Sequence, residues 1–284
     1  MEAMTNEVFI AILAAAAMNA AWNTAVKVGG DKLTVMAITT LIGSLISLPA
    51  VAFIKIPDTG SWMLLGLSII IHTVYHLVLP LAYRYGDLGQ VYPMARGTAP
   101  LLVTLAAALL LGAIPQTLGI VGVACISCGV LALAIRRRTD QKGASRGVSY
   151  ALFTGALIAA YTVVDALGAR LAGSVLGFAV ILTVGDGIAT ALVVLAWKGA
   201  NAFRVDTRTL SLCTFAGAMQ VGAYWIAIWA LSQAPMGTVS ALRESSVLFI
   251  GLISKFILNE SFGKQRAISS LLIFAGIVSV RIGM

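Results

Sequence analysis

The chain has 284 residues, 60% of them hydrophobic and only 11% charged, with a mean hydropathy of +0.97. That composition excludes an ordinary soluble domain. The formal charge of +8 is spread over the loops between apolar runs, so it reports orientation in a membrane and not nucleic-acid binding.

A run near 20 residues crosses about 30 Å of hydrocarbon as a helix. Ten such spans are read in order: 7–27, 33–54, 62–84, 89–111, 116–135, 147–168, 175–197, 209–232, 236–257 and 266–283. Gly29-Gly30-Asp31, Pro57-Asp58-Thr59-Gly60, Gly86-Asp87, Gly112 to Pro115 and Gln233-Ala234-Pro235 punctuate them. The first span lacks a basic leader, carries Asn19 and Asn23 and ends in Lys27, so it reads as a retained helix and not a signal peptide. The alternation of a porin-type strand is absent.

Loops after odd-numbered spans hold fourteen Lys and Arg residues, against Lys55, Arg170 and Arg281 on the other side. Excess basic charge marks the cytoplasmic face. The 136–146 loop is therefore expected inside and both termini outside.

The sequence offers little covalent chemistry. It holds no Gly-rich phosphate loop, zinc signature or nucleophile triad, so no enzyme activity, cofactor or metal is expected. Cys125, Cys128 and Cys213 all lie in apolar spans and read as packing residues.

Charge inside the spans is the informative feature, because a charged side chain at the bilayer centre costs roughly 2.5–3.5 kcal/mol on insertion scales. Arg96 and Arg243 lie 147 residues apart, and the same shift aligns Leu101 with Leu248, Leu111 with Leu258 and Gly129 with Gly276. This reads as a duplication: a first five-helix repeat over 1–138, a connecting loop over 139–146, and a second repeat over 147–284. An odd helix number inverts the second copy, giving an all-α integral membrane protein of ten transmembrane helices in two inverted repeats. Secondary transporters of that architecture bind substrate at the repeat interface.

At this point the chain resembles the ten-helix EamA-type members of the drug/metabolite transporter superfamily. The likeness is carried by Ala82-Tyr83-Arg84-Tyr85-Gly86-Asp87 leading into Val91-Tyr92-Pro93, by Ala230-Leu231-Ser232-Gln233-Ala234-Pro235, by Leu258-Asn259-Glu260 and by Gly276. Ala113 departs from it, standing where the first half would carry a glutamate. The resemblance implies a multi-pass transporter of the bacterial inner membrane, similar to YddG-type amino-acid exporters. Its substrate would be an amino acid, aromatic ones included, or a similar small metabolite, moved by alternating access. A broad-specificity drug or metabolite exporter is the alternative within transport. A membrane-embedded binding or sensory protein is the alternative from another class.

Candidate substrate-binding residues follow from their placement. Arg96 lies about 12 Å into the fourth span, where its guanidinium either grips a carboxylate in two-point geometry or snorkels to the interface. Arg243 and Glu244 either contact substrate or pair with structural neighbours, and adjacent helical positions give them different partners. Asp186 and Asp165 suit ammonium binding or proton carriage; Asp165 alternatively meets Arg170 at a helix end. Asp186 is the first choice for proton coupling. His72, Tyr75 and His76 can relay protons or simply bond between helices. Asn19, Trp22, Asn23, Tyr92, Tyr161, Gln220 and Tyr224 can line a polar cavity or hold helices together.

Overall fold

The computed structural model describes residues 4–85, 88–113, 116–134, 144–256 and 264–283. They form α1 (Asn6–Val28), α2 (Lys32–Ser47), α3 (Trp62–Tyr85), α4 (Leu88–Leu111), α5 (Thr117–Ala134), α6 (Ala144–Leu171), α7 (Val175–Lys198), α8 (Thr207–Gln233), α9 (Met236–Arg243), α10 (Ser246–Phe256) and α11 (Lys264–Ile282). Thr5, Asp31, Ser174 and Asp206 cap α1, α2, α7 and α8, each accepting a backbone N–H three residues on. The expected Leu258-Asn259-Glu260 helix end and most of the 136–146 loop lie outside the described residues.

Among the described residues, seven helices are long and apolar enough to cross a membrane. The expected spans at 116–135 and 266–283 contain shorter apolar helices, Thr117–Leu133 and Ala267–Ile282. The span expected at 236–257 is broken between α9 and α10. Around the break Glu244 N–H bonds Ala241 O, Ser245 N–H bonds Leu242 O and Val247 N–H bonds Glu244 O, a tight 3-10 pattern in place of the α ladder. Similarly, the span expected at 33–54 leaves α geometry after Ser47 and continues as a 3-10 turn, Leu48–Ala52, containing Pro49.

Large apolar side chains face outward, while the charged groups within the spans are buried. Leu109 is 75% and Leu271 68% exposed, while Asp165 and Glu244 are 1% and 2% exposed. Lipid is as apolar as leucine, so such side chains gain little from burial, whereas polar groups at membrane depth must find each other. Glycines let backbones meet between α5 and α11. A Cβ on Gly122 would lie 2.8 Å from Gly276 O, and one on Gly129 would lie 2.9 Å from Ser269 O.

Several helix contacts fall into pairs. α3 lies against α6 and α1 against α8; α4 meets α6, and α1 meets α9 and α10; α2 meets α8 and α3 meets α7. α2 packs on α7, α4 on α9 and α5 on α11.

Turns among the described residues meet at two ends of the bundle. Lys198 pairs with Asp31, joining the turns after α1 and α7. At the opposite end Asp58 N–H bonds Ala172 O at 2.9 Å, and Arg170 donates to Leu231 O and Ala234 O at 3.0 and 3.2 Å. Partial burial alone would raise the Asp31 carboxyl, but hydrogen bonds from Lys198 and Thr34 outweigh it and hold that group below the usual carboxylate range. This cap and tie therefore persist at neutral pH and weaken as acid protonates the carboxylate.

Candidate functional site

The site is organised by α3. Ser68, His72 and His76 follow one another at four-residue spacing, which places them on one helix face. That face looks at α6 and α7, each of which carries a buried carboxylate.

The first carboxylate is Asp165 on α6. Ser68 Oγ donates to its Oδ1 and the Tyr224 hydroxyl, from α8, to its Oδ2. His72 Nε2 lies 2.9 Å from the Tyr224 hydroxyl and 4.0 Å from Asp165 Oδ2, and its Nδ1 lies 3.0 Å from Ser68 O. The second is Asp186 on α7, whose Oδ1 lies 3.2 Å from His76 Nδ1 and 3.3 Å from the Thr190 hydroxyl. Aromatic rings fill the space beside the histidines. Tyr161 is 4.0 Å from His72 between ring centres, and Tyr75 meets Tyr161 edge-on at 5.7 Å.

A second charged centre links α4 to the helix break. Arg96 Nε donates to Glu244 Oε2 at 2.9 Å, with both side chains buried. Arg96 thus does not snorkel; the broken helix brings an acid to it. Its Nη2 is buried without a hydrogen-bond partner. Arg243, the neighbouring residue, points elsewhere and borders the cavity. Among the described residues it has no hydrogen bond or ion pair.

Several of these groups border a cavity to which eight helices, α1 to α4 and α6 to α9, contribute. Eleven of the fifteen candidates line it: Asn19, Trp22, His72, Tyr75, His76, Arg96, Tyr161, Asp186, Gln220, Tyr224 and Arg243. Asn19 and Trp22 are tied together, the indole donating to Asn19 Oδ1 at 2.9 Å.

Four candidates stand back from the cavity. Asn23 turns along its own helix and donates to Asn19 O at 2.8 Å. Tyr92 packs against the apolar core built partly from α1, α4 and α9. Glu244 lies behind Arg96. Asp165 lies behind Tyr224 and Ser68, and the helix-end alternative fails: it is 1% exposed, and Arg170 bonds backbone carbonyls instead. Thr40, Gly43, Leu182, Thr183, Val221 and Ala223 also line the cavity. Sequence reading passed over them because small, aliphatic and hydroxyl side chains in apolar spans look like helix packing. Ser68 was open to detection, standing one α-helical repeat before His72 and His76.

Comparison with known proteins gives two results. Residues 145–282 match the model of the EamA-like transporter family. One protein solved by crystallography superposes over 97% of this chain and 95% of its own with a TM-score of 0.76, at 15% identity. At that identity the likeness is one of fold, and it extends across both halves of the chain. No curated protein matches by sequence. The second half of the chain thus matches an EamA-like transporter family domain, and the described residues form the helices of a multi-pass membrane protein.

Proposed function

We propose that the protein exports amino acids or similar small metabolites across the inner membrane by alternating access. The observation that carries this reading is the mid-membrane cavity, where Arg243 and Asp186 present both signs of charge beside aromatic walls. An α-amino acid offers the matching features, a carboxylate, an ammonium and a side chain. Arg96 is already held by Glu244, so Arg243 is the residue for the substrate carboxylate, and Asp186 with His76 faces the ammonium. The matched family is one of membrane transporters, which move small molecules without covalent chemistry.

The neighbour pairs support two repeats, over 1–138 and 147–284. Shifting helices by one repeat turns α3 on α6 into α8 on α1, and α2 on α8 into α7 on α3. With α9 and α10 together as the counterpart of α4, the pairs α2–α7, α4–α9 and α5–α11 map onto themselves. This is the behaviour of copies related by a two-fold axis, and rocking one copy against the other would open the cavity to each face in turn. The charge count places the loops after α1, α5 and α7 in the cytoplasm.

Purified protein in liposomes, preloaded with labelled amino acids singly, is the test. Efflux of at least one of them above protein-free liposomes is expected. Saturable binding of an amino acid with no flux would favour a sensory protein and overturn the transport reading.

A further inference from the structure

We propose that Asp165, Tyr224 and His72 share one removable proton, and that this triad, not Asp186, is where a proton couples to transport. The coupling half of the proposal rests on the transport reading; the shared proton does not.

His72 Nδ1 lies 3.0 Å from Ser68 O, which only accepts, so Nδ1 carries a hydrogen. Ser68 Oγ lies 3.2 Å from the same nitrogen, but its own hydrogen goes to Asp165 Oδ1, so it too accepts there. On the other side of the ring, Nε2 faces the Tyr224 hydroxyl at 2.9 Å, and that hydroxyl also bonds Asp165 Oδ2. Two hydrogen bonds in series, Asp165 to Tyr224 and Tyr224 to His72, need two hydrogens. The phenol brings one.

The second hydrogen sits on Asp165 Oδ2 or on His72 Nε2. It passes between them when Oδ2 gives its hydrogen to the phenol oxygen as the phenol gives its own to Nε2. Both arrangements leave the triad with zero net charge. Loss of the proton leaves one negative charge and one unmade hydrogen bond, among side chains almost wholly buried: Asp165 is 1% and His72 5% exposed. Such a deficit at membrane depth is costly, so the proton leaves only when its surroundings change.

Charged and titratable groups reach this region from each neighbouring helix: His76 on α3, Tyr161 on α6, Asp186 on α7 and Arg243 on α9, with Arg96 on α4 balanced by Glu244. The other couple makes no comparable demand. A neutral His76 with its hydrogen on Nδ1 satisfies Asp186 Oδ1, and Thr190 donates to the same oxygen.

Infrared spectra of the purified protein, collected through an alkaline titration, test the shared proton directly. Asp165→Asn and His72→Gln identify the carboxyl and imidazole bands. In the wild type both bands should change in one step; in Tyr224→Phe, which removes the middle oxygen, they should separate into two. Separate steps in the wild type would overturn the proposal.

In liposomes carrying a labelled amino acid that gives flux, coupling is read as the ratio of flux with and without an imposed pH gradient. That ratio should fall to one in Tyr224→Phe and in Asp165→Asn. A wild-type ratio of one, or a wild-type ratio kept in both variants, would overturn the coupling half. Should no amino acid give flux, the transport reading falls and the infrared result still decides the shared proton.

Discussion

Glu244→Ala should destabilise the protein by about 3–5 kcal/mol, because it strands the Arg96 guanidinium in a buried site. Arg96 is 5% exposed and its Nη2 already lacks a partner, so the variant leaves its buried charge without a counter-ion. Removing both charges is a different experiment. Arg96→Met combined with Glu244→Leu deletes the desolvated pair as a unit and should recover most of the loss, since buried pairs are often no more stabilising than apolar residues of similar volume. Unfolding of the purified variants in one detergent measures this. Equal stability of wild type, single and double variants would mean that the pair contributes nothing.

Arg243→Lys should cut transport by one to two decades at matched membrane abundance. The charge is kept, but the planar fork that meets a carboxylate at two points is lost. A charge-assisted hydrogen bond is worth about 1.5–3 kcal/mol, which converts to roughly that range in affinity. Because Arg96 is engaged by Glu244, Arg96→Lys should act through stability and leave binding less affected. Normal transport by Arg243→Lys would make that arginine part of the scaffold and remove the carboxylate anchor from the proposal.

The contrast between the two arginines shows where sequence reading reached and where it stopped. Both stood out because an arginine in an apolar run is costly, and the same reasoning found His72, His76, Asp165 and Asp186. Each of these needs a polar neighbour at membrane depth, so residues singled out separately converge on one place. Partner choice was not legible. Arg96 could have faced substrate, water or an acid, and the acid it meets is 148 residues away. Glu244 reaches it at a helix break that contains neither proline nor glycine; local turn rules mark only Gln233-Ala234-Pro235 before it. Asp165 looked like a helix-end charge because its distance from Arg170 is short in sequence. Its true partners come from α3 and α8, and only the fold brings Ser68 and Tyr224 to it. The long apolar helices were legible from length alone. The shorter α5 and α11 were read at nearly their full extent, but their pairing through Gly122, Gly129 and Gly276 is a matter of three-dimensional contact.

Alternating exposure of the central cavity is the core of the account, and Ala223 is suited to report it because it lines that cavity without a polar role. The measurement is labelling of Ala223→Cys by a membrane-impermeant maleimide, with Cys125, Cys128 and Cys213 replaced, on intact cells and on inverted vesicles. Asp58→Cys and Gln141→Cys serve as markers, and should label only from outside and only from inside respectively. Position 223 should label from both faces, and a transported amino acid should slow the reaction on each. Labelling from one face alone, with and without that amino acid, would contradict alternating access through this cavity.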